Sequence, residues 1–304
     1  MQDGFNGIAE DIWQAVMALG VPSLAGFSVE ILPEVGSTNT ELMRRARAGR
    51  CEPTLLVALT QTAGRGRLGR SWASQAGDSL TFSLGLALSP QSWEGLSLAV
   101  GVSVAQSLDS AIEATRLPAD GNKGEAIGLK WPNDLWWQER KLAGILIETA
   151  SPGEPLPNAA AVSARYAVVG VGINVAMPAA GLDGISPACL QERWPQASAA
   201  LALKALAAPL LRDVMAFERA GFAAFAVRFA ARDALRGRAV WAGTGLGQSM
   251  NAFQGDSQHI EGVAQGVDAS GALLVHTSAG TQRVHSAQVS VRPVLPACAK
   301  SVPA

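Results

Sequence analysis

An α+β fold is what this sequence predicts: a large body built on a mixed β-sheet with helices, followed by a smaller β-rich unit. Three observations carry that expectation. The chain has 304 residues, 48% of them hydrophobic, enough to bury one large core or a core plus a small second one. Apolar runs of strand length are joined partly by tight turns and partly by single helical segments, which suits an α+β sheet better than a regular βαβ series. The composition then shifts after Arg236, where short β-like runs alternate with glycine turns. Disordered and collagen-like classes are excluded by the same composition.

Residues 8–19 have the spacing of a short amphipathic helix, and residues 27–32 (FSVEIL) alternate as a strand before the turn-prone Val35-Gly36-Ser37. Thr38 or Asn39 is placed to cap a helix over 41–48 that Gly49 stops. Residues 55–60 (LLVALT) suit a buried strand and lead into a glycine-rich stretch at 64–69, with a further strand over 81–88. Helical spacing returns over 96–114, and strands are expected at 127–131, 135–137 and 141–149 (KLAGILIET). A polar, proline-rich connection over 151–158 precedes a strand at 166–174 (YAVVGVGIN). After a loop over 178–196, an alanine-rich helical region runs to about residue 235. Beyond it, 238–241, 260–267, 272–276 and 289–291 are strand candidates, read together as a small β-barrel. The expected division is 1–235 for the body and 236–304 for the barrel.

Charged residues make up 16% of the chain, against a usual level of about 25%, and the net charge is −1. Binding of nucleic acid through bulk charge is therefore disfavoured, and any basic site must be local. Cys51, Cys189 and Cys298 are far apart and odd in number, so neither a disulfide framework nor a zinc site is indicated. A reducing cytoplasm fits. The opening MQDGFNGIAEDIW lacks the basic start of a secretory or transit peptide, and no apolar run approaches the ~18 residues of a membrane span. The three histidines, His259, His276 and His285, all fall in the tail. Unless the tail folds back, the body has no Ser-His-Asp triad, Cys-His pair or His-held metal. Carboxylates, lysines, arginines, backbone amides and a metal brought in by the substrate remain.

The strongest motif is Gln61-Thr62-Ala63-Gly64-Arg65-Gly66-Arg67-Leu68-Gly69-Arg70-Ser71-Trp72. It contains a literal GxGxxG, but the polar 71–79 does not open a helix and no acidic residue ends a second strand, so a dinucleotide site is not supported. Arginines spaced along a glycine-rich backbone suit the wrapping of phosphate or carboxylate oxygens, and Trp72 could stack on a base. A solvated basic turn and a nucleic-acid patch are the competing readings. The second motif is Lys130-Trp131-Pro132-Asn133-Asp134 with Lys141-Leu142-Ala143-Gly144 downstream; its turn signature would let both lysines face one site. Each lysine alone reads as a surface residue and Asp134 as a turn former. In Gly170-Val171-Gly172-Ile173-Asn174, two glycines inside an apolar run mark either core packing or a close approach to a ligand or strand. Gly36-Ser37-Thr38-Asn39 offers hydroxyl and amide groups at a helix start, for which simple capping suffices.

Taken together and in this order, the four motifs resemble the biotin protein ligase family, whose members attach biotin to a carrier lysine of biotin-dependent carboxylases. The resemblance spans nearly the whole chain and includes Ile145, Leu146 and Glu148 after the second lysine. It implies a mixed sheet with helices related to class II aminoacyl-tRNA synthetase catalytic domains, followed by a small SH3-like barrel. Residues 261–268 and 271–275 are similar to that barrel, whereas Ala287-Gln288 departs from the glycine and acidic residue usual there. Members that double as repressors carry a winged helix-turn-helix of roughly 60 residues first. With a strand expected near Phe27, the resemblance implies a ligase without DNA binding.

The implied chemistry joins the biotin carboxylate to the α-phosphate of ATP, with Mg²⁺, and then passes biotin to the lysine of a biotin carboxyl carrier protein. No covalent enzyme intermediate is needed, in keeping with the absence of histidine from the body. By resemblance, Ser37, Thr38, Asn39, Gln61, Arg65, Gly66, Arg67, Lys141 and Gly144 would hold biotin. Arg67, Arg70, Trp72, Lys130, Asn133, Asp134 and Asn174 would surround the nucleotide, and no protein metal ligands are assigned. Arg67, Lys141 and Asp134 would carry catalysis, Lys141 bridging the two anions and Asp134 orienting or deprotonating the incoming lysine. A lipoate ligase and a non-enzymatic nucleotide- or nucleic-acid-binding module are the alternatives. An exposed sheet edge would permit pairing with the carrier or, as a homodimer, with a second copy.

Overall fold

The computed structural model describes residues 3–115, 125–151, 164–178, 186–243, 259–286 and 290–293. The connection expected over 151–158, the centre of the 178–196 loop, Ala287-Gln288 and Cys298 lie outside those residues almost entirely.

The body is a seven-stranded mixed sheet. Its strands are β1 (Ser28–Val35), β2 (Thr54–Gln61), β3 (Ser79–Leu88), β4 (Gly128–Lys130), β5 (Asp134–Trp137), β6 (Arg140–Ala150) and β7 (Arg165–Asn174). Their spatial order is β1-β2-β3-β7-β6-β5-β4. Only β1 and β2 run parallel; they are the neighbouring strands of this sheet joined through a helix, α2 (Thr38–Arg47). The remaining pairs are antiparallel.

Alternation along the strands sends side chains to two faces. On one face Leu55, Val57, Phe82 and Leu84 meet α1 (Asp3–Met17), α3 (Leu96–Ala114) and α4 (Ala199–Ala220) in the main core. On the other, Leu56, Tyr166 and Val168 pack under Leu42, Met43 and Ala46 of α2. The helix α3 is apolar nearly all round because it is enclosed, with Leu98, Val100, Val102, Val104 and Leu108 all buried.

Several element boundaries differ from expectation for identifiable reasons. Ser37, rather than Thr38 or Asn39, caps α2, its hydroxyl accepting from the Thr40 amide, so the helix starts three residues early and Thr38 and Asn39 lie in its first turn. The alanine-rich helix stops at Gly221, whose φ of 64° terminates α4, and α5 (Ala226–Ala230) follows separately.

The tail forms an antiparallel five-stranded sheet of β8 (Ala239–Gly243), β9 (His259–Val267), β10 (Leu273–Thr277), β11 (Gly280–Val284) and β12 (Ser290–Pro293), in the order β11-β10-β9-β8-β12. Strand β11 was not expected because Thr281, Gln282 and Arg283 are polar and exposed at the sheet edge. Val240, Leu273, Val275 and Val291 from this sheet join the main core, and Trp131 Nε1 donates to the Gly271 carbonyl at 3.0 Å. Gly271 lies so close to Gly95, just before α3, that an added Cβ would come within 2.9 Å of its Cα.

Candidate active site

One open-mouthed cleft is lined by all fifteen residues to which the resemblance gives a role. Four elements converge to build it. The β1–α2 corner supplies Ser37, Thr38 and Asn39; the end of β2 and the loop after it supply Gln61 through Trp72; the β4–β5 turn supplies Lys130, Asn133 and Asp134; β6 and β7 supply Lys141, Gly144 and Asn174.

The end at α2 is a polar cradle whose charges are paired. The Thr38 amide donates to Gln61 Oε1 at 2.7 Å, and Ser83 Oγ lies 2.7 Å from Thr38 Oγ1 and 2.6 Å from Asn39 Oδ1. Asn39 Nδ2 donates to the Leu146 carbonyl and to Glu148 Oε2, and Arg65 pairs with Glu148 at 3.1 Å. Ser83 was not among the sequence candidates: a serine inside a long apolar strand carries no motif, although one buried in the middle of a sheet must find a polar partner.

The opposite end is charged. Asp134, only 7% exposed, meets Lys141 Nζ at 2.8 Å and Lys130 Nζ at 3.6 Å. Burial alone would push its carboxyl up, but Lys141 and Lys130 outweigh that and hold it below the ordinary aspartate value. Burial and the like charge of Lys141 push the Lys130 ammonium down, with Asp134 opposing. Lys130 also lies over the Trp136 ring, 5.3 Å from its centroid. Asn133 ties the β4–β5 turn to β6 through its side-chain amide and its carbonyl. Asn174 donates to the Lys141 and Ala188 carbonyls, fixing the backbone from which Lys141 projects.

The arginine-glycine loop spans the two ends. Hydrogen bonds from Trp72 N to Gly64 O and from Gly66 N to Arg70 O fold it into a hairpin around a short turn, Arg67–Gly69, rather than a helix start. The dinucleotide-loop geometry is thereby absent. Leu68, half-exposed, adopts φ 55° and Gly69 φ 73°. Arg67 bonds Asn133 Oδ1 and the Ser286 carbonyl, and burial lowers its guanidinium pKa. Thus the tail does fold back to the cleft, and Val291 and Arg292 of β12 line it as well, yet none of the histidines among the described residues does. These tail contacts had no sequence signal, since they depend on how two sheets dock.

The glycines of β7 prove to be close-approach positions. An added Cβ on Gly172 would sit 2.4 Å from Trp72 Cε2, and one on Gly170 would sit 2.1 Å from Asn39 Oδ1. Trp72 therefore packs on the strand as a cleft wall, its Nε1 buried and unpartnered. No group of three or more His, Cys, Asp or Glu side chains suited to a metal occurs among the described residues. Asp134 is the carboxylate lining the cleft, and both its oxygens face lysines. Among the described residues this lining does not make a resident metal site.

The profile of the biotin/lipoate A/B protein ligase family matches residues 33–173, and that of the biotin protein ligase C-terminal domain matches residues 246–292. The bifunctional ligase/repressor BirA of Escherichia coli K12 is 33% identical over 279 residues, covering 88% of this chain and 75% of that protein. The biotin–[acetyl-CoA-carboxylase] ligase of Paracoccus denitrificans is 31% identical over 264 residues, covering 85% of this chain and 98% of that one. The solved structure of biotin protein ligase from Aquifex aeolicus in complex with biotin and ATP superposes with a TM-score of 0.66 at 26% identity, covering 88% and 99%. Motifs, cleft and relatives agree, and the chain belongs to the biotin protein ligase family and is a ligase.

Proposed function

We propose that the protein condenses biotin with MgATP to biotinyl-5′-adenylate and transfers the biotinyl group to a specific lysine of the biotin carboxyl carrier protein of acetyl-CoA carboxylase. The observation that carries this reading is the polarity of the cleft, hydrogen-bonding groups with a balanced Arg65–Glu148 pair at one end and a lysine-arginine cluster around Asp134 at the other. A ureido ring suits the first end and a carboxylate meeting a triphosphate suits the second. The names of the Paracoccus relative and the Aquifex complex point to the same substrates.

In the first step a biotin carboxylate oxygen attacks the α-phosphorus and pyrophosphate leaves. Two anions must meet, so the protein's task is to position them and offset their repulsion. Lys141 stands where it can bridge carboxylate and α-phosphate, with Arg67 and Arg70 sharing the phosphate charge. Ser37, Thr38, Asn39, Gln61, Arg65, Gly66 and Gly144 surround the biotin rings and chain, and Trp72, Lys130, Asn133 and Asn174 frame the nucleotide. In the second step the carrier amine attacks the acyl carbon and AMP leaves. The depressed pKa of Asp134 makes it a weak base, which favours the orienting role over deprotonation. Residues 1–235 are taken as the catalytic unit and 236–304 as the barrel unit, acting in the cytoplasm.

The deciding experiment combines purified protein, radiolabelled biotin, ATP, Mg²⁺ and the apo carrier domain, with lipoate and its own carrier in parallel. ATP-dependent labelling of the carrier lysine by biotin is expected. Labelling by lipoate alone, or by neither, would overturn the proposal.

A further inference from the structure

We infer that Arg140 and Glu192 are positioning residues: their ion pair pins the segment 186–192 against a β-bulge in β6, and that bulge is what aims Lys141 into the cleft. The inference rests on the biotin reading, in which Lys141 bridges carboxylate and α-phosphate, and extends it to what sets the direction of that lysine.

Alternation along β6 should send Lys141 to the same face as Ala143 and Ile145, both of which are buried in the main core. Yet Lys141 lines the cleft together with Gly144, and a Cβ added to Gly144 would sit 3.4 Å from Lys141 Nζ. The reversal comes from the pairing of β5 with β6. Leu135 faces Ala143 but Trp136 faces Lys141, so Leu142 is an extra residue, itself buried in the core. One extra residue turns every side chain before it to the other face of the sheet.

The ladder with β7 begins only beyond the bulge, at Ala143 opposite Ile173. The backbone of Lys141 is met instead by the segment that follows the cleft loop. Its amide donates to the Ser186 carbonyl at 3.1 Å and its carbonyl accepts from the Ala188 amide at 2.9 Å, a parallel bridge centred on Pro187. Arg140, next to the lysine, fastens that segment: its guanidinium donates to both carboxylate oxygens of Glu192 and to the Pro187 carbonyl. Glu192 Oε1 also accepts from the Cys189 amide at 3.0 Å, which ties the short turn Leu190–Glu192 to the bridge. Trp137, opposite Arg140 on β5, seats the guanidinium 5.4 Å from its ring centroid. Neither Arg140 nor Glu192 lines the cleft, so both act through Lys141.

The test joins amide hydrogen exchange with biotin-dependent ATP–pyrophosphate exchange for wild type, Arg140→Ala, Arg140→Lys, Glu192→Ala, Lys141→Ala and the double variant of the last two. In the wild type the amides of Lys141 and Ala188 are expected to exchange at least about 100-fold more slowly than in free peptide. Exchange at the free-peptide rate overturns the inference whether or not any variant folds. Arg140→Ala and Glu192→Ala are each expected to lower kcat about tenfold with KM for biotin and ATP within about twofold, because a lysine moved off line loses contact with the transition state first. Arg140→Lys, which keeps a charged donor toward Glu192, is expected to recover kcat to within about threefold of wild type. Added to Lys141→Ala, Glu192→Ala is expected to lower kcat by no more than about twofold, since its effect runs through the missing lysine. Unchanged kcat in either alanine variant, or a further loss of about tenfold in the double variant, overturns the inference and leaves the biotin reading in place. Wild type without any biotin-dependent exchange would overturn the biotin reading itself, and this inference with it.

Discussion

Lys141 and Arg67 reach the charged end of the cleft from opposite walls, one on β6 and one on the arginine-glycine loop. Replacing either by Ala removes a cation from the end of the cleft where the proposed reaction brings carboxylate and phosphate together. Biotin-dependent pyrophosphate release is expected to fall by about 100-fold or more, in line with the loss of one preorganised charge donor. Near-normal release from either variant would take that residue out of the mechanism. Asp134 carries a different expectation, one of stability. Removing it by Asp134→Ala leaves Lys130 buried without a counter-charge, and a loss of about 3–5 kcal/mol in denaturant unfolding is expected. Because its folded pKa lies below the unfolded value near 3.8, its contribution is present above that value and is lost as pH falls through the folded pKa. In the wild type, acid unfolding should accordingly steepen below about pH 4, and in Asp134→Ala this segment of the pH profile should flatten.

At the scale of elements, the loop over 64–70 and strand β7 behave oppositely. The loop has Leu68 as its sole large apolar side chain, half-exposed and in a left-handed conformation unfavourable for leucine, so it is held by backbone bonds and arginine contacts, the Arg65–Glu148 pair among them, rather than by apolar packing. Proteolysis within the loop is expected to slow markedly when biotin and ATP are added together, as arginines and amides close around the adenylate. Equal cleavage with and without ligands would rule out this gating. Strand β7 is by contrast buried and paired on both sides, and its Gly170 and Gly172 leave no spare volume. Gly172→Ala forces a methyl into the Trp72 ring, and an unfolding penalty of about 1–3 kcal/mol is expected together with a shifted tryptophan emission. A variant as stable as the wild type would show that the indole is free to move.

Across the whole molecule, the small sheet completes both core and cleft. Its valines share the main core, Trp131 is anchored on Gly271, and Ser286 and Arg292 reach the cleft. Truncation after residue 235 should therefore lower the Tm of the body and abolish adenylation together. A truncated body with full thermal stability and full pyrophosphate release would show the two sheets to be independent.

Composition and periodicity by themselves determined an α+β body with a β-rich tail, and the ordered motifs, through the resemblance they carry, pointed to a ligase and to fifteen of the residues that line the cleft. Those features are local: strand alternation, helix spacing and glycine-arginine runs are written in consecutive positions. Strand order, the contacts of Ser83 with Thr38 and Asn39, the meeting of Lys130 and Lys141 on one carboxylate and the reach of β12 into the cleft were decided only by tertiary structure. Each joins residues distant in sequence through packing, and a serine in an apolar strand reads the same whether or not an asparagine from another element lies 2.6 Å away.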